Sequence, residues 1–66
     1  MIIQISPDKW VNITNLESVE IFRGSDDECY LRIKDTAKTY FYYSAVFRNE
    51  TVARSFAKSI ITKFKD

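Results

Sequence analysis

The chain has 66 residues with a formal net charge of +1, one Cys and no His. That length fits one domain, here residues 1–66, which buries only about 60% of its unfolded surface and is marginal alone. A single Cys excludes an intrachain disulfide, and with no His there is no zinc-ligand set and no general base of the usual neutral-pH kind.

In chain order, "IIQIS" reads as a first short strand, and Pro7 and Asp8 form a turn. "WVNI" is a second short strand and "TNLE" a connector. "SVEIFR" alternates, with Val19 and Ile21 on one side and Glu20 and Phe22 on the other. "GSDDE" closes a hairpin. "CYLRIK" places Cys29, Leu31 and Ile33 opposite in sense to Tyr30, Arg32 and Lys34. "DTAK" turns again, "TYFYY" is the last strand, and "SAVFR" either extends it or starts a helix.

From Asn49 the period changes to 3.6: Val52, Ala53, Phe56, Ala57, Ile60, Ile61 and Phe64 form one apolar stripe. Asn49 suits an N-cap, and Glu50, Lys63 and Lys65 suit the helix dipole. The expected fold is therefore α+β: an antiparallel meander of four to five strands with one C-terminal α-helix packed on one face.

The register of the central hairpin can be tested by cross-strand chemistry. With Ile21 opposite Leu31 and Val19 opposite Ile33, the other face pairs Phe22 with Tyr30 and Glu20 with Arg32. Both are favourable contacts, and a slip of one residue destroys both. The helix-side face then holds Val19, Ile21, Leu31 and Ile33, extended by Ile3, Ile5, Val11, Ile13, Phe41 and Tyr43.

The open face is expected to carry Trp10, Phe22, Tyr30, Tyr40 and Tyr42 among Glu20, Arg32 and Lys34. One helix cannot cover both faces, and exposed aromatic patches mark interaction sites. The candidate interaction face is thus Trp10, Phe22, Tyr30, Arg32, Lys34, Tyr40 and Tyr42. A homodimer through it would double the core of a marginal domain; another protein is an alternative occupant. The bland reading is that these rings are merely half-exposed strand formers.

A competing reading is single-stranded nucleic acid, with rings stacking bases beside Arg and Lys. In element order alone, a meander followed by a helix is similar to the single-strand-binding transcriptional coactivators. Near-neutral net charge weighs against this. Residues 1–35 carry seven acids and four bases, and residues 36–66 two acids and six bases, so charge is asymmetric along the chain. The outer helix surface, Arg54, Lys58 and Lys63, is a second, basic candidate face, otherwise simply solvated.

Asp26, Asp27 and Glu28 sit on a solvated tip where nothing raises a carboxylate pKa, and Cys29 points to the core, so no catalytic, metal or cofactor role is expected. Asn12-Ile13-Thr14 and Asn49-Glu50-Thr51 are chance matches to a glycosylation triplet in a chain without a signal-like start. No apolar run approaches the roughly 20 residues of a membrane span. The expectation is a small cytoplasmic accessory or regulatory protein that acts by binding. On size alone, an inhibitor of the phage or mobile-element kind fits.

Overall fold

A computed structural model describes residues 1–65. The strands are β1 (Ile2–Ser6), β2 (Lys9–Asn12), β3 (Leu16–Arg23), β4 (Cys29–Asp35) and β5 (Phe41–Tyr43), followed by α1 (Glu50–Lys63). The α+β class and antiparallel pairing hold, but the single meander is corrected. β1 and β2 form a separate two-stranded sheet, and β3, β4 and β5 form a three-stranded one. No helix among the described residues is long and apolar enough to cross a membrane.

The split has a local cause. The Asp35 side chain, fully buried at the end of β4, accepts hydrogen bonds from the N–H groups of Thr14 (2.8 Å), Asn15 (3.1 Å) and Ala37 (3.0 Å). Thr36 N–H also donates to Asn15 O at 2.9 Å. The connector after β2 is thus strapped to the β4–β5 turn, and β2 is carried away from β3. The remaining bonds from the hairpin go to β5 and the segment after it. Lys9 Nζ donates to Tyr43 O (2.6 Å), Tyr42 Oη to Asn12 O (3.4 Å), and Ala45 N–H to the buried Ser6 Oγ (3.1 Å).

The β3–β4 register matches the cross-strand argument, with Val19 opposite Ile33, Glu20 opposite Arg32, Ile21 opposite Leu31 and Phe22 opposite Tyr30. The core is built from Ile3, Ile5, Ile13, Cys29, Leu31 and Ile33, closed by Ala53, Ala57 and Ile60 of α1. Small Ala residues let the helix approach the sheet closely, while Val52 and Ile61 of the expected stripe remain exposed. Asn49 caps the helix, its Oδ1 accepting from Thr51 N–H at 2.7 Å. Glu50 clamps the helix start to the end of β3, accepting from Arg23 Nε and Nη2 (2.7 and 2.8 Å) and from Arg54 Nε (2.7 Å).

β5 departs from the expected register by one residue. Arg32 pairs with Tyr43, Ile33 with Tyr42 and Lys34 with Phe41. Tyr42 therefore shares the helix-side face with Ile33 and packs against the core, while Phe41 and Tyr43 lie on the open face. Strict alternation would put Phe41, Tyr43 and Phe47 on one face, yet Phe47 is buried and bridges Cys29. An extra residue between Tyr43 and Phe47 changes the parity. Here Ser44 Oγ accepts the Leu31 N–H at 2.8 Å, while Ser44 N–H donates to Leu31 O at 2.9 Å. This is a bulge in effect, with a hydroxyl standing in for a ladder carbonyl.

Two outcomes follow from this architecture. Phe47→Ala opens a core cavity and costs about 3–5 kcal/mol, which is close to all that a core of this size supplies. Phe41→Ala stays within about 1 kcal/mol, as for a surface position. Urea melts followed by circular dichroism check both; the reverse ranking would restore strict alternation.

Asp35 and Glu50 set the acid limit. Backbone hydrogen bonds from Thr14, Ala37 and Asn15, helped by Lys38, hold the Asp35 carboxyl below its ordinary value against the opposing effect of burial. The Arg23 and Arg54 guanidinium groups hold Glu50 at about 2 instead of 4.5. In this window the unfolded chain binds more protons than the folded one, so these groups stabilise fully above their ordinary values. That stabilisation is lost as pH falls from about 4.5 toward 2. Thermal midpoints measured across this range fall with acidification, and less steeply in Asp35→Asn; a flat profile would contradict the strap.

Candidate interaction face

The face of the three-stranded sheet turned away from α1 is laid out by the pairing. One row is Phe22–Tyr30, the next Glu20–Arg32–Tyr43, the next Ser18–Lys34–Phe41. Side chains of adjacent rows reach one another. The Phe22 and Tyr30 rings are stacked with centroids 5.5 Å apart and planes 13° apart. Tyr30 and Tyr43 are 6.0 Å apart and tilted by 54°, and Phe41 and Tyr43 are 6.5 Å apart and tilted by 51°. These separations fall in the range of favourable aromatic pairs.

Arg32 is the hub. Its guanidinium carbon lies 4.6 Å from the Phe22 ring centroid and 4.3 Å from that of Phe41. Its Nε and Nη2 donate to Glu20 Oε1 at 3.1 and 2.8 Å. The hydrogen bond to Glu20 raises the guanidinium pKa further, against burial, so Arg32 stays charged throughout. Cation–π contact on both sides and an acid partner hold the rings as one patch.

Of the residues expected on this face, Phe22, Tyr30, Arg32 and Lys34 are there. Tyr40 and Tyr42 are not part of the patch. They form a T-shaped pair with centroids 5.4 Å apart beside β2, and Tyr42 packs on the core. The hydroxyl contact with Tyr40, together with burial, raises the Tyr42 pKa. Trp10 is 57% exposed, but it stands on the separate hairpin opposite Gln4. Phe41 (38% exposed) and Tyr43 (46% exposed) take these places. No sequence signal separates the two phases of β5, because Tyr40 and Tyr42 on that side would also bring rings beside Arg32.

Lys34 faces the open side but its Nζ is spent on the turn, donating to Asp35 O at 2.9 Å and to Lys38 O. On the helix, Arg54 is tied to Glu50, whereas Lys58 and Lys63 make no ion pair among the described residues. A cleft of about 570 Å³ lies between the β1–β2 turn and residues 44–48, beside Lys9 and Arg48. Both cations are engaged there, Lys9 with Tyr43 O and Arg48 with Glu28. Among the described residues, no three His, Cys, Asp or Glu side chains stand close enough to hold a metal ion. Comparison of the chain with protein-family models, curated proteins and solved structures finds no match.

Proposed function

We propose that this protein works by binding, not catalysis, as a small cytoplasmic accessory or regulatory protein, and that its aromatic sheet face joins two copies of the chain. The observation that carries this reading is the continuous ring patch of Phe22, Tyr30, Tyr43 and Phe41 around Arg32, left uncovered by the single helix. A domain of this size gains most from burying such a patch against a copy of itself. Rigid aromatic side chains with a central Arg have the composition of interface hot spots.

Single-stranded nucleic acid on the same face is the second reading, and the ring platform favours it. The cations do not: Arg32 is neutralised by Glu20, and Lys34 is held by turn carbonyls. A nucleic-acid platform needs cations available to phosphates.

Sedimentation at tens of micromolar protein is expected to show a dimer whose dissociation constant rises at least tenfold, about 1.4 kcal/mol, in Phe41→Glu or Tyr43→Glu. Both variants keep native circular dichroism, whereas Tyr42→Glu unfolds the chain by placing a carboxylate against the core. A monomer at every concentration would overturn the dimer. Tight oligonucleotide binding with a log–log salt slope steeper than about −3 would promote the second reading.

A further inference from the structure

β3 is an edge strand: β4 pairs with one side of it, and among the described residues no strand pairs with the other. Its sequence neighbour β2 pairs instead with β1. β3 is also the longest strand, eight residues. Natural proteins usually blunt such an edge with Pro, a bulge or a charge turned inward. The irregularity in β3 lies at one end, between Leu16 and Ser18, and from Ser18 to Arg23 the register is regular. Glu20 points to the open face, where it pairs with Arg32, and the helix-side Arg23 stands at the last residue of the strand, tied to Glu50.

On the helix side, the edge borders a groove of about 460 Å³ between β3 and α1. Val19, Ile21, Ala57 and Ile61 supply its apolar surface, and Arg54 and Lys58 its rim. Ile61 is 45% exposed and Val19 and Ile21 are half-buried, so apolar surface remains for an occupant. Arg54 is neutralised by Glu50, and Lys58 is not paired among the described residues, so the rim is net basic.

We infer that this edge accepts an extended segment of a partner protein as an added strand, with apolar residues against Val19, Ile21 and Ile61 and a carboxylate against Lys58. The β3 main chain would supply the hydrogen bonds, and alternate side chains the specificity. A second copy of the chain fits less well. Pairing β3 with itself about a two-fold axis keeps both helices on one side of a continuous sheet, bringing Arg54 and Lys58 of one copy toward those of the other. The charge of the groove therefore selects an acidic, foreign strand. This surface is separate from the ring patch, so either can fail alone.

The test is an amide-shift titration by NMR with a short capped peptide alternating Thr and Val around one central Glu, and with its counterpart carrying a central Lys. The expected shifts lie in residues 18–22 and along residues 54–61. The Glu peptide should bind roughly two- to fivefold more tightly, as for one exposed ion pair. Lys58→Glu should invert that preference, and Ile61→Asp should weaken both peptides while circular dichroism stays native. Equal binding of the two peptides, binding of neither, or shifts confined to Phe41, Tyr43 and their neighbours would overturn the inference. Concentration-dependent broadening of the β3 amides without peptide would replace the foreign strand with a second copy.

Discussion

The arrangement depends on one buried carboxylate. Asp35 is removed from solvent yet kept ionised, because three backbone N–H groups from two separate chain segments converge on it. A buried charge is tolerated only when its hydrogen-bonding capacity is met. Once met, it dictates where those segments go. The connector after β2 is pinned to the β4–β5 turn, so the β1–β2 hairpin lies on the β5 side of the larger sheet. One edge of that sheet is occupied in this way, and the other, β3, is left available.

The second decision is made at Ser44. A side-chain hydroxyl takes the Leu31 N–H while the chain accommodates an extra residue, and alternation changes phase between Tyr43 and Phe47. Both Tyr42 and Phe47 can then reach the core from opposite sides of the irregularity. Because of that phase change, Phe41 and Tyr43 stand beside Arg32, and the open face acquires a continuous patch instead of scattered rings. The same event that completes the core thus composes the surface.

These constraints also separate two kinds of surface. On the open face, charge is consumed internally: Glu20 neutralises Arg32, and turn carbonyls hold Lys34. What remains is aromatic area, suited to partners that bury it. On the helix side of β3, small Ala residues bring α1 close, and the groove beside it keeps Lys58, which makes no ion pair among the described residues, and a strand edge that no described strand pairs with. That surface suits a partner that brings backbone and negative charge.

Much of this was legible in the residues. The 3.6 period from Val52 to Phe64, the Asn49 cap and the pairings Phe22–Tyr30 and Glu20–Arg32 are short-range signals, and the sequence by itself determined the helix and the β3–β4 register, while packing chose Ala53, Ala57 and Ile60 from the stripe and left Val52 and Ile61 exposed. Only the tertiary structure decided the division into two sheets, the phase of β5 and the groove along β3. Asp35 reads locally as a turn residue, because nothing in "DTAK" says that Thr14 and Asn15 will donate to it. Likewise, "TYFYYSAVF" is apolar on both parities, so periodicity cannot choose between Phe41 and Tyr42 for the core. The choice falls to a hydroxyl at Ser44 and a guanidinium at Arg32, contacts that exist only once the strands lie side by side.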